Sequence, residues 1–189
     1  YQRTIKNGER CSAAKAFLTP NIARDNLTVI THALTEKVLF EGKKAVGVRY
    51  KKNKKSIEIR CNKEVILSSG AFGSPQILML SGIGPQDHLA EMDVEVKQSL
   101  EGVGQNLQDH LETYVQYECK KPVTLFNEYN PIKMALTGIE WFLFKTGTAA
   151  YSNLETGGFI RSNELVDYPN IQYHFFPSLV LDHGRTNPD

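Results

Sequence analysis

A chain of 189 residues, 41% hydrophobic and 23% charged, has the composition of an ordinary folded protein and the length for one large domain or parts of two. Its 22 basic residues nearly cancel 21 acidic ones, which leaves no electrostatic case for a nucleic-acid partner. No apolar run approaches the ~20 residues that span a bilayer, and Cys11, Cys61 and Cys119, widely spaced and odd in number, make neither a disulfide framework nor a zinc site.

Residues 27–31 (LTVIT), 37–40 (KVLF), 45–50 (AVGVRY) and 56–60 (SIEIR) are rich in β-branched side chains and read as strands. Glu41–Gly42 and the run 51–55 (KKNKK) supply the turns between them. Lying between two strands and containing an Asn, that run reads as a solvated hairpin tip rather than a binding patch. Ile57 and Ile59 alternate with Ser56, Glu58 and Arg60, the pattern of a half-buried edge of a meander. Residues 64–69 (EVILSS) are more continuously apolar, which predicts a strand buried on both faces of a parallel sheet.

A punctuated helix comes next, with Ser74 as N-cap, Pro75 at the first helical position and 76–80 as a helix-forming run. Gly82 suits a left-handed residue after the helix, and Pro85 prevents continuation. A second short helix is expected at 85–92, a glycine-bearing loop at 100–110 and a strand at 114–118. In 131–145, Ile132, Ala135, Leu136, Ile139, Phe142 and Leu143 recur with a helical period. Strands at 156–161 and 171–176 come last. The fold class is therefore α/β (α+β overall): βα architecture with an inserted meander, then a sheet-and-helix module. A boundary near 120–122 divides residues 1–120 from 121–189.

A strand running into Ser-Ser-Gly and then a helix can hold a nucleotide cofactor. Gly70 has no Cβ to keep a ligand off the main chain, and a helix N-terminus offers free N–H groups. Equally, Gly70 and Gly73 could do no more than make a tight strand–helix turn, and spacing alone leaves both readings open.

Residues 70–84 (GAFGSPQILMLSGIG) resemble the second signature of the glucose–methanol–choline (GMC) family of FAD oxidoreductases at Gly70, Ala71, Ser74, Pro75, Leu78, Met79, Ser81, Gly82, Ile83 and Gly84. Residues 8–18, 24–31 and 102–110 are also similar to the family. Residues 105–120, 154–162 and 169–176 resemble its choline-oxidising branch, and 181–185 (LDHGR) its animal, mitochondrial form.

The resemblance implies part of a doubly wound FAD-binding domain with a β-meander over 1–120, and part of an antiparallel-sheet substrate domain over 121–189. It implies FAD as cofactor, choline as the small-molecule alcohol, betaine aldehyde as product, and electrons passed to a membrane acceptor. The implied location is the mitochondrial inner membrane, with a bacterial membrane or cytoplasm as the alternative. The family's GxGxxG loop and catalytic His are expected outside residues 1–189, so no catalytic residue is expected within them, and the isolated chain is expected to be inactive and to expose apolar surface.

For the site, the resemblance puts the main chain of Thr35 near the adenine, and Ser69, Gly70 and Ala71 at the ADP part of FAD. Asn106, Asp109 and His110 belong to a loop packed near the flavin. Glu112 matches a glutamate that faces a trimethylammonium group, and His174 a histidine that positions the alcohol oxygen. A quaternary ammonium has no N–H donors, so a carboxylate and aromatic faces are what can hold it. The alternatives are a lysine partner for Glu112 and a core role for His174. Leu154 and Val180 stand where choline-oxidising relatives have a tryptophan and a phenylalanine, and Trp141 is expected in a helix core rather than in a cage. Two further readings stay open: an enzyme of the family acting on another alcohol, and a non-catalytic flavin-binding relative.

Overall fold

The structure is a computed structural model that describes residues 3–154 and 156–179. In its first part the regular elements are β1 (Ile5–Lys6), β2 (Glu9–Arg10), β3 (Leu34–Glu41), β4 (Lys44–Lys52), β5 (Lys55–Arg60) and α1 (Gly70–Leu80). They continue with β6 (Ile83–Gly84), α2 (Gln86–Glu91), β7 (Gln98–Ser99), α3 (Pro131–Phe144), β8 (Thr156–Ile160) and β9 (Ile171–Phe175). The chain divides into two compact units, one of Tyr1–Leu27 with Glu112–Asp189 and the other of Thr28–Leu111.

In the unit Thr28–Leu111, β3, β4 and β5 form the antiparallel meander expected from the sequence. Asn53 and Lys54 at the tip of the β4–β5 hairpin both take positive φ (51° and 64°), so the lysine run is a turn. Two bulges interrupt the β3–β4 ladder. Glu36 has no partner between the pairs Thr35–Tyr50 and Lys37–Arg49, and Val46 has none between Leu39–Gly47 and Phe40–Ala45. Helix α1 packs on β3, and Val38, Val46, Tyr50, Ile77 and Leu89 form the buried apolar centre of the unit.

The end of α1 is as expected. Gly82 has φ +85°, its N–H bonds the carbonyl of Met79 at 2.9 Å, and α2 begins after Pro85. Its start is not. The helix begins at Gly70, five residues early, and Pro75 lies inside it. Ser74 caps nothing ahead of it; its Oγ turns back and accepts from Ser69 N–H at 3.0 Å. Pro75 removes the ladder bond that its position would have made to the Ala71 carbonyl.

Three expected strands do not form, at 27–31, 64–69 and 114–118. A strand exists only through ladder partners, and apolar β-branched composition alone does not supply them. Residues 64–69 run without regular structure into α1, with Ile66 76% exposed.

The other unit holds the β1–β2 hairpin, α3 and the antiparallel β8–β9 pair. Asn7 (φ 54°) and Gly8 (φ 68°) make the hairpin turn, which sits against α3: Trp141 Nε1 donates to the Gly8 carbonyl at 2.8 Å. A Cβ at Gly8 would overlap the Lys145 carbonyl, so only glycine fits that approach. Trp141 is thus part of a helix anchor, with Lys145 Nζ 3.8 Å from its ring centroid. Helix α3 has a complete N-cap, the Asn130 side chain accepting from Ile132 N–H at 3.0 Å and Lys133 N–H at 3.4 Å, with Pro131 in its first turn. Large apolar side chains stand on the surface, as expected, among them Phe72, Leu111, Ile132 and Phe142.

Candidate functional site

Within the unit Thr28–Leu111, Thr35 lies beside α1. A groove of about 670 Å³ is lined by Leu34, Thr35, Glu36, Lys37, Arg49 and Ser56 of the meander and by Gln76 and Leu80 of the helix. Its polar wall is internally paired: Arg49 Nε lies 3.5 Å from Glu36 and its Nη1 3.9 Å from Glu58, and Ser56 Oγ donates to Glu36 at 2.9 Å. The bulge at Glu36 is the local reason for this wall, because an unpaired residue breaks the alternation of the strand.

Ser69, Gly70 and Ala71 are exposed at the opposite end of α1, roughly 9 Å along the axis from Gln76 at 1.5 Å per residue. Gly70 takes φ +81°, and nothing lies within 4 Å of where its Cβ would be. No side chain caps the helix start. Free N–H groups and an open approach to the main chain together fit an anionic, nucleotide-like group.

The loop expected to pack near a flavin is anchored through methionine. Met79 on α1 is bracketed by Gly84, whose Cβ would stand 2.9 Å from its Cγ, and Gly104, whose Cβ would stand 3.4 Å from its Cε. Two successive turns shape the loop, with Val103 N–H bonded to Leu100 O and Gln105 N–H to Gly102 O, each at 3.2 Å. Asn106 takes φ +56°, a conformation asparagine tolerates better than most residues. Asp109 Oδ1 accepts from His110 N–H at 2.8 Å, a local turn that leaves both side chains at the surface.

In the other unit, the Glu112 carboxylate accepts from the Tyr114 hydroxyl. No lysine or arginine pairs with it among the described residues. His174 on β9 stands opposite Gly157 on β8, and the adjacent Tyr173 opposite Gly158. Those two glycines leave the strand pair without side chains where His174 and Tyr173 cross it, and a Cβ at Gly158 would meet the Tyr173 hydroxyl at 2.6 Å. Leu154 is half-buried; Val180 lies outside the described residues.

A family model described as GMC oxidoreductase matches residues 1–112. The chain belongs to the GMC oxidoreductase family. It is 52% identical over 182 residues to the human protein named "Choline dehydrogenase, mitochondrial", a match covering 96% of this chain and 31% of that protein. It is 47% identical over 188 residues to the "Oxygen-dependent choline dehydrogenase" of Staphylococcus xylosus, covering 100% of this chain and 33% of the relative. Among solved structures, an FAD-dependent oxidoreductase from Chaetomium thermophilum superposes with a TM-score of 0.69 at 29% identity, over 82% of this chain and 28% of that one. The chain thus spans about a third of the length of the curated GMC relatives it matches.

Sequence reasoning did not find Tyr114 beside Glu112, Gln76 in the groove, or the bond Ser81 makes. Glu112 and Tyr114 are two apart and could have been paired as same-face neighbours of an extended segment. The other two depend on how α1 lies on the meander.

Proposed function

We propose that this chain is part of an FAD-dependent GMC oxidoreductase that oxidises choline to betaine aldehyde. The observation that carries this reading is the match along 96% or more of the chain to relatives named choline dehydrogenases. FAD, when bound, supplies the acceptor for hydride from the alcohol carbon. The main chain of Thr35 in the groove and the open helix start at Ser69, Gly70 and Ala71 hold the ADP part. Asn106, Asp109 and His110 shape the loop near the flavin.

Glu112 binds the trimethylammonium group. Its carboxylate already accepts from a phenol and has no basic partner among the described residues, so a cation without donors gains a full charge–charge interaction there. His174 positions the alcohol oxygen from a strand pair cleared of side chains by Gly157. The proton-accepting catalytic residue is assigned outside residues 1–189. Residues 1–120 belong on this reading to the FAD domain and 121–189 to the substrate domain. Electrons leave through a membrane acceptor, at the mitochondrial inner membrane or a bacterial one; among the described residues no helix is long and apolar enough to cross a bilayer.

The test is Glu112→Gln in the protein that carries this chain, expressed whole. The choline KM rises by far more than kcat falls; an unchanged KM removes Glu112 from the cation site. A second reading, oxidation of a neutral alcohol, draws on Leu154 standing where an aromatic cage residue is expected. Equal kcat/KM for choline and its tert-butyl isostere, which keeps shape and loses charge, would favour it.

A further inference from the structure

We infer that Ser81 is a positioning residue for the cofactor site: its hydroxyl fixes the edge of β3, and with it the main chain at Thr35, against the helix that presents Gly70. The inference rests on the flavin reading and deepens it.

Ser81 is 3% exposed, the one buried polar side chain among the described residues. Its Oγ donates to the Ile77 carbonyl at 2.5 Å, an ordinary bond for a serine at the end of a helix. The second bond is not ordinary. The same oxygen accepts from the backbone N–H of Val38 at 2.8 Å, 43 residues away in sequence. Strand β3 pairs with β4 along one edge only, so the Val38 N–H points off the sheet, buried, and needs a partner that the ladder does not supply. The residue at 81 must be small and must donate and accept at once, which a hydroxyl does and an apolar side chain does not.

The neighbouring glycine ties the helix end to the chain after α2. Gly82 accepts from Lys97 N–H at 2.8 Å and Gln98 N–H at 3.1 Å, so residues 81 and 82 bond two separate segments, β3 and 97–98. On the strand side, Val38 is three residues from Thr35, and the bulge at Glu36 lies between them. There the β4 ladder loses its regular pairing and fixes Thr35 less well than it fixes the rest of the strand. From the helix side, the Ser81 hydroxyl holds β3 two residues beyond that gap. Lys37 and Leu80 line both the Thr35 groove and a smaller one of about 270 Å³ that includes Val38 and Ser81. The bond joins the residues that directly follow this shared pair on β3 and on α1.

The experiment compares FAD uptake by apoprotein of the whole protein, followed by flavin fluorescence, in wild type, Ser81→Ala, Ser81→Cys and Trp141→Ala, together with the melting temperature of each apoprotein. Ser81→Ala raises the FAD Kd about tenfold. Ser81→Cys, which keeps the shape and bonds weakly through sulfur, raises it less. Trp141→Ala removes the α3 anchor on the Gly8 carbonyl, in the unit that holds neither Ser81 nor Thr35. It lowers the apoprotein melting temperature at least as much and leaves Kd within about twofold of wild type.

An unchanged Kd in Ser81→Ala overturns the inference. So does an equal rise in Trp141→Ala, since Ser81 would then act through stability alone. If the alanine variant does not fold, wild-type affinity in Ser81→Cys overturns it. Wild-type protein that takes up no FAD removes the flavin reading itself, a result distinct from the other three.

Discussion

Replacing Gly82 by alanine tests how α1 is stopped. The backbone there has φ +85°, and an L side chain in that region costs roughly 1–2 kcal/mol. Space is also missing. The new Cβ would fall inside van der Waals contact with the Glu95 carbonyl oxygen, 3.0 Å from Lys97 Cγ and 3.2 Å from Lys97 N. The Lys97 side chain can swing away, but the Glu95 carbonyl is backbone. Moving it disturbs the Lys97 N–H bond to Gly82 O at 2.8 Å, worth about 1 kcal/mol. The sum is a loss of about 2–3 kcal/mol. Gly42 is the control, with φ +59° and nothing within 4 Å of its Cβ position, so Gly42→Ala carries the conformational term alone, roughly 1–2 kcal/mol. Urea unfolding of the whole protein, followed by circular dichroism with both variants beside wild type, measures the difference. If Gly82→Ala loses no more stability than Gly42→Ala, the packing of the helix end against residues 95–97 is not what this geometry says it is.

Gly70→Ala should separate binding from stability in the opposite sense. Its Cβ meets nothing in the fold, so stability falls by roughly 1–2 kcal/mol at most, while on the proposed reading the FAD Kd rises because the methyl would stand in the cofactor's approach to the main chain; urea unfolding and a titration of apoprotein measure the two effects. Glu9 gives a pH dependence. Its hydrogen bond to Lys15, then that to Lys145, holds the carboxyl below the ordinary glutamate range. A depressed pKa in the fold contributes stability that is present above the unfolded value and lost as pH falls through the folded one. Glu9→Gln should therefore flatten the loss of stability below about pH 4.5, and high salt should weaken the wild-type effect; parallel acid titrations of the two proteins would count against this ion pair.

The elements legible in the sequence are those whose signals are local. Gly82 and Pro85 end α1, Pro131 starts α3, and the tip at 51–55 turns the meander, each by its own backbone preference. The segments at 27–31, 64–69 and 114–118 carry strand composition, yet pairing is a property of two segments, and composition describes one. The Asn7–Gly8 hairpin shows the reverse: its signal is local and strong, and it goes unread because only two residues flank it on each side in the ladder. The roles proposed for the stretch 69–71 and for Glu112 come from resemblance to the GMC family and not from a local signal. The hydroxyl bond from Ser81 to Val38 is not legible, because nothing in residues 77–84 states which strand edge the helix will meet.

The Gly8–Trp141 bond joins residues 133 apart, and the compact unit it belongs to is interrupted by the whole of Thr28–Leu111. During synthesis Thr28–Leu111 leaves the ribosome before α3 is made. Its meander is built from neighbouring strands and can close early. The host unit has to wait for α3, and until then the Asn7–Gly8 turn has nothing to dock on. Order of assembly is thus written into the connectivity: the meander and α1 can close first, and the β1–β2 hairpin docks only once α3 exists.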